Sequence, residues 1–184
     1  MKIAVYGIGN ILMSDDAVGP TVARILDAEW SLSGDVVVED LGTPTIELPA
    51  HVAGFDAVVF IDAVTASAPP GTIIVYSREQ ILAHPPGLRV GPHDPSLRET
   101  LLTLDLTDDG PKHVVLVGIV AESAKMGLGL TPNVAAAIPA AVEQTLLELA
   151  LLDVTATRRH EPRDADLWWS ASVPLAPAGR PARR

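Results

Sequence analysis

Short apolar runs separated by turn-forming clusters set the pattern of this chain. Lys2 to Tyr6 is a continuous apolar run ending at Gly7, and Asp56 to Ile61 is another, stopping at Asp62. Runs of this kind mark strands buried on both faces of a parallel sheet. Asp35 to Glu39 and His113 to Val120 read as further strands. Thr72 to Tyr76, reached from Pro69-Pro70-Gly71 by a very short connection, reads as an antiparallel edge strand. Between them, residues 17–30 carry Val18, Val22, Ile25 and Leu26 at helical spacing, with Pro20 tolerable only in the first turn. A short helix near Ile46 to Val52, another from Pro95 to Leu106, and a long one opened by Thr131-Pro132 and running to about Asp153 complete the pattern. Strands alternating with helices predict an α/β fold with a largely parallel, five-stranded twisted sheet and helices on both faces.

The stretch with the most chemistry lies between the first strand and the first helix. Gly7-Ile8-Gly9-Asn10 allows a sharp turn at the carboxyl edge of the sheet, where open α/β folds place ligands. Ser14-Asp15-Asp16 then brings two adjacent acids just ahead of the helix. Capping of that helix is one use for them. A dinucleotide loop is a poor fit, because Leu12 stands where the third glycine of G-x-G-x-x-G belongs.

Composition narrows the choice. The chain has 184 residues, 48% of them hydrophobic, enough for one sizeable core. We expect a single domain over 1–154 and an Arg- and Pro-rich, disordered tail over 155–184, with too little apolar area to matter for stability. Residues 1–154 hold 7 basic against 20 acidic side chains, and 155–184 hold 6 against 3. An acidic body argues against nucleic acid as a partner. With no uninterrupted run of about 18 apolar residues and no signal-peptide pattern, we expect no membrane span and a cytoplasmic, monomeric protein. The absence of cysteine excludes thiolate ligands and cysteine nucleophiles, so any metal is held by oxygen and nitrogen.

Asp62, at the end of its strand, is expected on the same edge as Asp16. His93 lies in the proline-rich loop 83–95, which must cross that edge. Together they make a two-oxygen, one-nitrogen set suited to a divalent transition ion with coordination positions to spare. His84 shares the loop and remains possible; His51, His113 and His160 fall elsewhere.

An ordered series of motifs carries a family resemblance. Gly7-x-Gly9-Asn10-x-Leu12-x-x-Asp15-Asp16-x-x-Gly19 is followed by Asp40-x-Gly42-Thr43 with Glu47-Leu48, by Ile61-Asp62-Ala63 and by Pro92-His93. Val117-Gly118-Ile119, Glu122-Ser123 and Gly129-Leu130-Thr131-Pro132 come last. Over residues 1 to about 153 the chain resembles the nickel-iron hydrogenase maturation endopeptidases. The resemblance implies a three-layer α/β fold of the phosphorylase/hydrolase-like kind and an aspartyl-type endopeptidase that removes the C-terminal extension of a hydrogenase large-subunit precursor after nickel insertion. It maps metal binding and catalysis onto Asp16, Asp62 and His93, with the nickel supplied by the precursor. A generic metal-dependent hydrolase with its own resident ion, or a non-proteolytic small-ligand module, would use the same edge.

Overall fold

The computed structural model describes residues 1–44, 46–83, 87–88, 97–107 and 109–170. In chain order the elements are β1 (Lys2–Ile8), a 3-10 turn (Ser14–Ala17), α1 (Val18–Glu29), β2 (Trp30–Leu32) and β3 (Asp35–Gly42). α2 (Leu48–Val52), β4 (Ala57–Thr65), β5 (Ile73–Ser77), α3 (Arg78–Ala83) and β6 (Gly87–Leu88) follow. The chain then forms α4 (Leu97–Thr107), β7 (His113–Val120), α5 (Pro132–Leu151) and β8 (Ala156–Arg158).

The main sheet runs β3-β1-β4-β7-β5, with two-residue β6 paired to the far end of β4. β3, β1, β4 and β7 are parallel, and β5 closes the β7 edge antiparallel, as its short approach predicts. Alternation along the central strands divides the interior. Ile3 and Val5 of β1, with Val59 and Ile61 of β4, pack under α1 and α5. Ala4 and Tyr6, with Val58 and Phe60, pack under α2, α3 and α4. The sheet is therefore the middle of three layers, with apolar burial on both faces worth about 2 kcal/mol per large side chain.

Two expectations need correction. β4 does not stop at Asp62 but runs on to Thr65, because β7 pairs with it through Val120. The ladder to β1 does end there, at Gly7↔Ile61, so Asp62 is the first β4 residue past its β1 partner. It stays at the edge for that reason.

The second correction concerns the tail. Residues 155–170 are seated on the body: β8 pairs antiparallel with β2, and Trp169 is buried at 1% exposure. Ion pairs from Arg158 to Glu29 and from Arg163 to Asp27, each 2.8 Å, fasten the rest to α1. Composition hides this, since one indole and a few arginines facing acids replace a continuous apolar surface. Residues 171–184 lie outside the described residues.

α5 is a layer helix whose Val134, Ala141, Val142 and Leu149 belong to the core beneath α1. By length and composition alone it is also apolar enough to cross a membrane, with a mean hydropathy of 1.5. The polar residues spaced along it, Glu143 and Glu148 among them, keep it from reading as an uninterrupted apolar run.

Candidate functional site

Backbone contact between three elements builds the site. A β-carbon on Gly9 (φ 144°) would lie 1.8 Å from the Asp16 carbonyl oxygen, and one on Gly19 would lie 2.2 and 2.3 Å from the carbonyl oxygens of Ile8 and Ile61. Only glycine permits such approach. The end of β1, the start of α1 and β4 thus come together, and the 3-10 turn carrying Asp15 and Asp16 packs against β4, near enough for the charge of Asp16 to act on Asp62.

Neither acid caps the helix. The N-cap of the 3-10 turn is Met13 and that of α1 is Ala17, with no side-chain capping bond at either. Asp15, fully buried, accepts the Glu122 and Ser123 amides on Oδ2, both at 2.9 Å. The Thr131 amide binds its Oδ1 at 2.6 Å, and the Thr131 hydroxyl donates to Oδ2 at 3.0 Å. Thr131 occupies the N-cap position of α5, ahead of Pro132, but makes no side-chain capping bond and spends its hydroxyl on this carboxylate. Asp15 thereby ties the first loop to the connection between β7 and α5. The two segments also pair as backbone: Ser14 N–H donates to Gly127 O and Gly127 N–H to Leu12 O, both 2.9 Å.

Asp16 and Asp62 form the candidate reactive pair. Asp16 Oδ2 accepts the Asn10 amide at 2.8 Å, and Asp62 Oδ1 accepts the Ala63 amide at 2.7 Å. Burial pushes the Asp62 carboxyl well above the usual carboxylate range, and the charge of Asp16 adds to this. The Ala63 hydrogen bond opposes both without cancelling them.

Of the three residues expected to act together, the structure unites Asp16 and Asp62; His93 lies outside the described residues, as does His84. Among the described residues no group of three His, Asp or Glu side chains is placed to hold a metal ion. His113 begins β7 at the opposite end of the sheet, and His160 belongs to the docked segment. Two neighbouring carboxyls, one of them raised by the other's charge, accommodate a cation better than they do each other.

Three exposed apolar side chains, Leu12, Met126 and Leu128, rise from the two paired loops. Sequence reasoning misses them, as it does the Asp15 tether. The Glu122-Ser123 and Thr131 motifs are visible in the sequence, but the acid they bind is more than 100 positions away.

Fold and site define an α/β enzyme with a carboxylate pair at the carboxyl edge of its sheet. Comparison with known proteins then settles the family. The hydrogenase maturation protease family model matches residues 20–148. The hydrogenase 2 maturation protease of Escherichia coli K12 is 34% identical over 168 residues, covering 89% of this chain and all of the relative. The solved structure of the E. coli hydrogenase maturating endopeptidase HybD superposes with a TM-score of 0.79 at 34% identity, covering 86% of this chain and 98% of that one. The [NiFe] hydrogenase maturation protease HybD of Thermococcus kodakarensis gives 0.60 at 27% identity, over 80% and 99%. The chain belongs to the hydrogenase maturation protease family and is an endopeptidase of that kind.

Proposed function

We propose that this endopeptidase removes the C-terminal extension of a nickel-iron hydrogenase large-subunit precursor once nickel is in place, and that Asp16, Asp62 and His93 engage the nickel the precursor already holds. The observation that carries this reading is the proximity of two buried acids, one of them forced toward its neutral form by burial and by the other's charge. A divalent cation between them reverses that penalty. Three protein ligands of this kind leave coordination positions that the precursor's own ligands fill. The metal is then part of the substrate.

The same pair has the coupling of an aspartyl-type proteolytic site, in which two carboxyls hold one negative charge more readily than two. Such a pair can give and take a proton during amide hydrolysis. The chain has no cysteine to serve as a nucleophile. Leu12, Met126 and Leu128, exposed on the two paired loops, offer apolar surface on which an extended polypeptide can rest. The protein acts as a monomer in the cytoplasm on this reading.

Side-by-side digestion of nickel-loaded and nickel-free precursor tests it, followed by mass spectrometry. Loss of a C-terminal peptide from the loaded form alone is the expected result. Equal cleavage of both overturns the nickel anchor and leaves the peptidase standing; cleavage of neither overturns the choice of substrate. An ion co-purifying at full occupancy with the isolated chain would mark a resident metal instead.

A further inference from the structure

The docked segment 155–170 falls beyond the residues the family model matches, yet two hydrogen-bonded routes lead from it to the turn bearing Asp16. We infer that Trp169 is a positioning residue for Asp16, acting through Thr21 and Arg24. The inference rests on the role proposed for Asp16 and extends it to a part of the chain that touches no reacting group.

The first route is short. Trp169 Nε1–H donates to Thr21 Oγ1 at 3.3 Å, and the Thr21 hydroxyl donates to the Ala17 carbonyl at 2.7 Å. Ala17 closes the 3-10 turn immediately after Asp16. The buried indole therefore fixes the hydroxyl that holds this turn on the first turn of α1.

The second route reaches the other side of Asp16. The Arg24 guanidinium lies over the Trp169 ring, 4.7 Å from its centroid. Arg24 Nε–H donates to Asp40 Oδ2 at 2.8 Å, and its Nη1 reaches Asp166 Oδ2, on the docked segment, at 3.3 Å. Asp40 Oδ1 in turn accepts the Gly42 amide at 2.9 Å, and the Gly42 carbonyl accepts the Gly9 amide at 2.8 Å. The next residue is Asn10, whose amide holds the Asp16 carboxylate. A part-exposed ion pair such as Arg24–Asp40 contributes little alone. Seated against an indole and shared with Asp166, the guanidinium is confined to one geometry. Through the Asp40-x-Gly42 motif the position of Arg24 is passed to the backbone that carries Asp16.

The test uses the full-length protein with Trp169→Ala, Trp169→Phe and Arg24→Lys, assayed on nickel-loaded precursor below every variant's unfolding transition. Amide hydrogen exchange at Gly9 and Asn10 is followed in parallel. Trp169→Ala should lower kcat about tenfold to a hundredfold, the scale of a small misplacement of a reacting group. KM should stay within about twofold, and the Gly9 and Asn10 amides should exchange about tenfold faster. Trp169→Phe keeps a ring over Arg24 but loses the Nε1–H donor to Thr21, so it should recover part of kcat and fall between Trp169→Ala and wild type. Should Trp169→Ala fail to fold, Arg24→Lys carries the test, because it leaves the indole in place and removes the planar fork. Unchanged kcat with unchanged exchange overturns the inference. A loss confined to KM does so as well, since the segment would then be touching the precursor. If wild-type protein cleaves no precursor, the substrate reading fails while the exchange at Gly9 and Asn10 still decides the positioning role.

Discussion

Asp15 and Asp16 are adjacent and both buried, yet their carboxylates serve different partners. That of Asp15 gathers three backbone amides and a hydroxyl from the connection between β7 and α5. That of Asp16 takes the Asn10 amide and raises the proton affinity of Asp62. One acid holds the loop together, and the other acts on Asp62 through its charge.

Substitution should separate the two roles. Asp15→Ala leaves several buried donors unpaired and should cost about 3 kcal/mol or more of stability. Asp16→Asn removes the charge behind the hydrogen bond from the Asn10 amide but also relieves its repulsion with Asp62, so stability should stay within about 1 kcal/mol while processing is abolished. Denaturant unfolding of both variants beside a precursor assay checks this. A stable Asp15→Ala, or an Asp16→Asn that still processes precursor, would show the roles to be misassigned.

Gly19 makes the approach of α1 to the sheet possible, and its replacement should be severe. A β-carbon there meets two backbone carbonyl oxygens at 2.2 and 2.3 Å, which cannot turn aside as a side chain does. Gly19→Ala should cost about 3 kcal/mol and displace Asp16 with it. Gly34→Ala is the control: its φ is 82° with nothing within 4 Å, so only the left-handed backbone is penalised, at about 1 kcal/mol. Comparable losses at the two positions would argue against the close approach.

The sheet is legible in the sequence because β1, β4 and β7 bury both faces and so appear as unbroken apolar runs. Asp62 interrupts such a run and looks like its end. What the run does not reveal is that β1 stops pairing there while β7 continues. The role of Asp15 is illegible for a different reason: its partners are 107 to 116 positions away, and adjacent acids before a helix look like caps whatever they bind. The docked segment escapes a reading by composition because average hydropathy gives little weight to one tryptophan. A single buried indole can nonetheless hold such a segment when arginines ahead of it find acids.

Removal of residues 155–184 should accordingly be felt. Burial of Trp169, the β2–β8 ladder and the contacts of Arg158 and Arg163 are lost together. Loss of the indole alone is worth about 3 kcal/mol. Thermal and denaturant unfolding of the truncated chain should show at least that deficit, and a truncated protein as stable as the full chain would show that the segment is not seated in solution.

The pH dependence of stability should report on Asp62. In the unfolded chain its carboxyl titrates near the ordinary value of 3.8, and in the folded protein well above it. Below 3.8 both states carry the proton, and the stability associated with it is fully present. As pH rises from there toward the folded value, the unfolded state gives up its proton while the folded state retains it, so stability falls with pH; the contribution is fully lost above the folded pKa. Asp62→Asn cannot titrate and lacks this loss. Its stability relative to wild type should therefore rise with pH from about 4 upward and then level off. In Asp16→Asn the stability should still fall as pH rises but over a narrower pH window, since burial is the larger cause of the Asp62 shift and the charge of Asp16 the lesser. Denaturant unfolding of the metal-free protein at a series of pH values supplies the curves. If wild type and Asp62→Asn run parallel across the series, Asp62 is not held toward its neutral form, and the buried pair loses its claim to be the site where a cation is recognised.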